Sequence, residues 1–391
     1  MKTKRILISG ASVAGPALAF WLHRYGFEVT ILERAPGIRP GGYAVDFRGA
    51  AMEVLEKMGV LEEIRRCETR TGTITTVDKH NRKVSAMPDG FTSGELEIMR
   101  GDLVEVLYGA TKNDVEYIFG DSITGMTDGA EGVDVTFEMS AARQFDLVIG
   151  ADGLHSNVRR IAFGEESEFN RYMGLYVAIF TTPNFMDIGM NGLFYSTPGK
   201  RVGFFGARES TEARASFYFT SEPLAYDRRD IAQQKEIIRS KFAEEEWEVP
   251  RLLSLMEDAP DFYFDSISQI KMDRWSKGRI ALIGDAAHCA SPLSGMGTSM
   301  AVVGACILAG ELKKAAGDYT VAFALYEERM REFVIKSQQL ADGGATWFVP
   351  NTRFMHWCSQ QMWKMLPYSP WKNMMIQLPS KIARSIQPEC Y

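Results

Sequence analysis

Three stretches of this 391-residue chain set glycines and single acids directly after apolar runs. In the first, Arg5 to Ser9 (RILIS) runs into Gly10, Ser12, Ala14 and Gly15, and an apolar stretch continues to about Tyr25. A second apolar run, Glu28 to Leu32, ends on Glu33, 18 residues after Gly15. Gly10 suits a tight turn, Gly15 lets a helix pack closely on a strand, and the helix N-terminus attracts a pyrophosphate. A carboxylate at Glu33 is placed to accept from a ribose hydroxyl. The order of strand, glycine turn, helix and acid predicts a nucleotide site without saying which nucleotide; its structural alternative is a plain βαβ turn.

The second stretch is a buried-strand pattern at Asp146 to Gly150, then Asp152, Gly153 and Ser156 before a helix. Asp152 or Ser156 reads either as a helix cap or as a neighbour of the pyrophosphate. The third is Arg279 to Ile283 followed by Gly284, Asp285 and His288, then Pro292, Gly295 and Gly297 before a small-residue helix. Asp285 at a strand end is placed to accept from a ribitol hydroxyl, and the glycines allow backbone N–H groups close to a ring or phosphate. His288 has two readings, a cofactor neighbour or a satisfied loop residue.

The elements between these stretches divide the chain. Ala50 to Arg66 has helical spacing, as does Gly101 to Ala110, while residues 115–119, 133–137 and 145–149 look like strands. From about residue 172 the texture becomes aromatic and β-prone, split by Pro and Gly, and a charged amphipathic helix follows at residues 228–242. The pattern predicts an α/β fold: a discontinuous Rossmann-like cofactor domain over 1–70, 99–170 and 271–320, and an inserted, mostly antiparallel sheet domain for substrate over 71–98 and 171–270. A helical segment, 321–391, is expected to bridge the two.

Composition narrows the function classes. A net charge of −6 without any basic run argues against nucleic acid. The five cysteines lack paired spacing and the five histidines lack ligand spacing, so neither a disulfide framework nor a metal site is indicated. Those cysteines fit a reducing, cytoplasmic setting. No membrane span is evident. The stretch after Met1 resembles a secretory signal, but Gly10, Gly15 and Pro16 stand where the nucleotide turn needs them. The expectation is a monomer acting on a small molecule.

Together the three motifs resemble the GxGxxG, DG and GD motifs of the class A FAD-dependent monooxygenases, the aromatic-hydroxylase family with the p-hydroxybenzoate hydroxylase fold. The likeness covers all but the last sixty or so residues. Residues 41–49, 97–103, 262–265 and 269–272 look most like its tetracycline-inactivating branch. The resemblance implies a cofactor-binding set of Gly10, Ser12, Ala14, Gly15, Glu33, Arg34, Arg48, Arg100, Asp152, Gly284, Asp285, Pro292, Gly295, Met296 and Gly297. Ser12 stands in place of a family glycine, and Met296 and Thr298-Ser299 in place of a Gln and an Asn.

What the resemblance further implies is FAD reduced by NADPH or NADH, O2 adding at the flavin C4a position, and oxygen transfer to a polycyclic phenolic or enolic substrate. A tetracycline, and hence antibiotic inactivation, is one such substrate. No side-chain nucleophile is needed, because the flavin carries the chemistry. A second dinucleotide fingerprint for NAD(P)H is absent. Tyr195, Phe204, Arg214, Phe217 and Phe219 are candidate substrate contacts, with core packing as the alternative for the aromatics. The Trp347–Trp371 segment reads as a gate, as core packing or as a membrane-facing surface. Two other functions share the motifs: a flavin reductase that does not use O2, and a non-catalytic FAD- or drug-binding protein. A halogenase lacks support because the tryptophan motif of that group is missing.

Overall fold

Uninterrupted apolar runs are buried on both faces, and here they form one sheet. The computed structural model describes residues 4–38, 41–69, 71–87, 94–206, 211–368 and 372–389. Arg5–Ser9 lies at the sheet's centre, parallel to Glu28–Glu33 on one side and Leu147–Gly150 on the other. Ile280–Leu282 and Glu116–Phe119 add parallel strands outside these, and Ser276–Lys277 forms an antiparallel edge. The chain leaves Arg5–Ser9 for one neighbour and later returns to the other. The residues following three parallel strands therefore share one crevice, the usual ligand position in such sheets.

Close packing at that edge depends on two glycines. Gly10 has φ +112°, and a Cβ there would lie 2.4 Å from the Ala151 carbonyl oxygen. A Cβ on Gly15 would lie 1.9 Å from the Gly10 carbonyl oxygen. Without those side chains, helix Ala14–Arg24 settles directly against the sheet, burying Leu18 and Leu22.

The second sheet has seven strands, in the order Tyr263–Ile270, Asn170–Pro183, Glu212–Thr220, Lys200–Gly206, Gly192–Thr197, Ile74–Val77 and Lys83–Ala86. All its pairings are antiparallel except that of Gly192–Thr197 with Ile74–Val77. Both faces are covered. Helices Ile231–Phe242 and Val249–Glu257 enclose an aromatic core on one. On the other, helices Gly344–Phe348 and Arg353–Met365 cover part of the surface through Phe348, Val349, Trp363 and Leu366. Trp347 and Trp357 are exposed, and Trp371 and Cys390 lie outside the described residues.

Three local departures have physical causes. The helix expected over Ala50 to Arg66 is two helices, Ala50–Met58 and Leu61–Arg66, because Gly59 takes φ +76° and closes the first with a left-handed cap. Of the apolar residues in the amphipathic helix, Ile238 and Phe242 are buried, but Ile231 is exposed at its start and faces the crevice. Cys67, Cys289 and Cys358 are free thiols, whereas Cys306 is disulfide-bonded, which its spacing did not announce. No described helix is long and apolar enough to cross a membrane.

Gly15→Ala is expected to lower the unfolding free energy by about 1–3 kcal/mol, since the helix must move off the sheet. Gly37→Ala, with open space around it, should change it by less than about 0.5 kcal/mol. Urea denaturation of both variants checks the contrast, and equal losses would remove the close-packing argument.

Candidate active site

The crevice continues beyond the first sheet as one cavity of about 1020 Å³. One arm follows Gly10, Ser12, Glu33 and Arg34, and the other reaches Ile179, Thr181 and Arg214 on the second sheet. Tyr43, Arg100, Asp285, Tyr263 and Asp265 line the region as well.

The nucleotide arm is shaped by backbone. The Glu33 carboxylate accepts from the Ala11 N–H (3.0 Å) and the Ala35 N–H (2.9 Å), which pins the acid beside the glycine turn. Arg100 begins helix Arg100–Gly109 and donates from Nη1 to Ser12 Oγ at 3.2 Å. A Cβ on Gly42 would meet Arg100 Nε at 2.9 Å. Asp285 opens into the cleft, while the protein around it raises its carboxyl pKa against the opposing hydrogen bond from Cys289. Arg48 is buried, 3.4 Å from Asp46, and a Cβ on Gly295 would come within 3.3 Å of its guanidinium. Burial raises the Asp46 carboxyl to about 6 although Arg48 opposes it, and burial pushes the Tyr43 phenol up to about 12. Bare glycine backbone, a pinned acid and the Arg34 and Arg100 side chains along a long cleft fit a flavin dinucleotide.

The comparisons with known proteins agree with this geometry. The model of the FAD binding domain family matches residues 3–321. A flavin-dependent monooxygenase from an unknown prokaryotic organism is 42% identical over 345 residues, covering 86% of this chain and 88% of the relative. The crystal structures of tetracycline destructases Tet(55) and Tet(51) superpose with TM-scores of 0.86 at 36% and 33% identity. Each comparison covers all of this chain and 99% of the other. The chain belongs to the class A flavin monooxygenases, close to the tetracycline destructase branch. It is an FAD-binding oxidoreductase, with the expected α/β fold and helical C-terminal segment.

Several expected site residues are elsewhere. Phe204, Phe217 and Phe219 are fully buried on the helix-covered face of the second sheet, and Tyr195 stacks on Trp247. They are core and do not line the cleft; of the five substrate candidates only Arg214 does. Side chains alternate along Glu212–Thr220, so Arg214 and Phe217 face opposite ways. Met296 is also buried in the core, and Ala14 is buried opposite Gly284, where a Cβ would lie 3.2 Å from its own. Pro292 is exposed, and Gly297 lies near Asp285. Asp152 lines the cleft but also accepts from the Ser156 hydroxyl and the Asn157 and Val158 N–H groups, while Ser156 caps helix Asn157–Ala162. His288 packs on Trp275 with its pKa lowered to about 3 by burial, so it is a neutral core residue.

Sequence reasoning missed His155. Its Nε2 is 2.9 Å from Asp265 and its Nδ1 2.9 Å from Glu166, tying the turn after Leu147–Gly150 to the second sheet. Arg228 donates to the same Glu166 at 2.8 Å. The partners are 11 and 110 residues away, so no local pattern announced the cluster. Burial by itself lowers the imidazole pKa, but hydrogen bonds and charge from Asp265 and Glu166 outweigh it and hold it above 6.5. Glu166 is held at about 2: burial raises it, and the bonds from His155 and Arg228 prevail.

The His155 contribution to stability is fully present below 6.5 and is lost as pH rises through the raised folded value. That of Glu166 is fully present above 4.5 and is lost as pH falls toward about 2. The cluster is therefore strongest between those two ordinary values. His155→Gln is expected to lose more stability, measured by urea denaturation, at pH 6 than at pH 9. An equal loss at both would show that no imidazolium is held there.

Proposed function

We propose that this monooxygenase uses NAD(P)H and O2 to hydroxylate a polycyclic phenolic or enolic small molecule of the tetracycline type, inactivating it. The observation that carries the reading is the single cleft joining the Glu33 arm to the Arg214 face. Likeness to two tetracycline destructases supports the substrate class.

When bound, FAD supplies the electron transfer and oxygen activation that side chains do poorly. Glu33 would hold the ribose of its adenosine half, with Arg34 beside it. The turn at Gly10 would let Ser12 and the first turn of helix Ala14–Arg24 present N–H groups to the pyrophosphate. Asp285 would accept from the ribityl chain, and Arg48, Arg100, Gly295 and Gly297 would hold the ring system. Arg214 has a buried Nε without a partner among the described residues, and its Nη1 shares Glu212 at 3.3 Å. It is thus free to donate to an acidic oxygen of the substrate. The walls around Ile179, Thr181 and Phe262 exclude water and orient the substrate for reaction.

Purified protein is expected to carry a flavin absorption band and to consume NADPH and O2 faster when a tetracycline is added. Flavin-bound protein without such stimulation would remove the substrate class, and NADPH oxidation that needs no O2 would favour the reductase. Arg214→Met is expected to raise KM about tenfold or more, the loss of a hydrogen bond to a charged group, with a smaller change in kcat.

A further inference from the structure

The C-terminal stretch differs in charge from the rest of the chain. The sequence holds 50 acidic residues, yet none lies between Gly343 and Pro388, where Lys or Arg stands at 353, 364, 372, 381 and 384. With a total of −6, the remainder of the chain therefore carries −11. Arg384 is paired with Glu95, but among the described residues Arg353 and Lys364 meet no carboxylate.

Helix Arg353–Met365 shows what this stretch presents to solvent. It buries His356, Ser359 and Trp363, the last in a cluster with Ile74 and Phe194 of the second sheet. At about 100° per residue, Arg353, Phe354, Trp357, Lys364 and Met365 share an arc of about 120° on the opposite side. A surface helix ordinarily sets polar residues there. Instead Phe354 is 72% exposed, Trp357 58% and Met365 69%, and Tyr368 in the following turn is 90% exposed. The Phe354 and Trp357 rings stack with centroids 6.4 Å apart. Arg353 and Lys364 run along one edge of the arc, Phe354 and Met365 along the other. Trp347, also exposed, is held beside the helix by Ser359 Oγ, which donates to its carbonyl at 3.2 Å. None of these residues lines the cleft, so neither core packing nor the cofactor site accounts for the exposed rings.

We infer that this face docks on an anionic lipid bilayer, with helix Arg353–Met365 lying in the plane of the surface. Phe354, Trp357, Met365 and Tyr368 enter the boundary between headgroups and acyl chains, where an apolar helical face is favoured. Arg353 and Lys364 extend from the rim to the lipid phosphates. The negative remainder of the chain is repelled by the same surface, so the acid-free face is the one that approaches. A second copy of the chain is a poorer occupant, because a two-fold contact would set these cations against their own counterparts. The docking is independent of the substrate proposed above.

The probes are sucrose-loaded vesicles of phosphatidylcholine alone or of an equimolar mixture with phosphatidylglycerol, pelleted with the purified protein. At low ionic strength the protein is expected to bind the anionic vesicles about tenfold or more tightly than the neutral ones, as two cations near a charged surface give. High salt should shrink the difference. Phe354→Ser combined with Trp357→Ser is expected to weaken binding about tenfold or more, through the loss of two inserted rings. Its urea midpoint should hold, because both side chains face solvent. Arg353→Glu combined with Lys364→Glu is expected to abolish the preference for anionic vesicles. Wild-type protein that stays in the supernatant with the anionic vesicles overturns the assignment. So does full binding by the double serine variant, which would place the contact elsewhere. Sedimentation equilibrium without lipid tests the second copy: a dimer that the double serine variant dissociates would make this face a subunit contact and overturn the assignment to a membrane.

Discussion

The contact between Gly15 and the Gly10 carbonyl is the constraint on which the rest depends. It leaves no room for a side chain, and Gly10 is likewise held against Ala151. These contacts bring the first helix and the strand end at residue 150 to the same edge of the sheet. Only then do Glu33, Asp152 and Asp285, far apart in sequence, line one crevice. A larger residue at either glycine would separate the walls before any side chain could act on a ligand.

From that edge the protein extends its site by burying charge under differing degrees of compensation. His155 is held between two carboxylates and joins the sheets. Arg48 has Asp46 beside it, although at 3.4 Å the pair is loose and burial still raises the carboxyl. Among the described residues Arg201 meets two rings and one hydroxyl. The first arrangement strengthens the contact between the two sheets, whereas the last leaves donor capacity unused. Breaking a fully compensated pair would leave a buried charge without its partner, so such a cluster resists separation of the elements it joins.

The C-terminal segment closes this organisation. Helix Tyr319–Gln339 packs with the first sheet's core, and Phe348, Val349 and Trp363 then cross to the cleft face of the second sheet. A segment rich in tryptophan thus has a split role, with Trp363 buried and Trp347 and Trp357 exposed. Burial of one helical face explains the aromatic content without requiring every ring to touch a ligand.

The sequence by itself determined the three strand ends, the two close-packing glycines and Glu33, because each signal is local: a short apolar run, a turn residue, an acid at fixed spacing. It also placed the inserted sheet correctly in kind, through aromatic β-prone segments split by Pro and Gly. What only the tertiary structure decided was which face of that sheet meets the cleft. Both faces are buried, so along Glu212–Thr220 neither Phe217 nor Tyr218 is marked by polarity as core or site, and Phe204, Phe217 and Phe219 proved to be core. The His155–Asp265 pair and the Arg201–Phe348 stack were likewise hidden, since their members are 110 and 147 residues apart. Spacing within one element is written in the chain, but opposition between elements arises only when they pack.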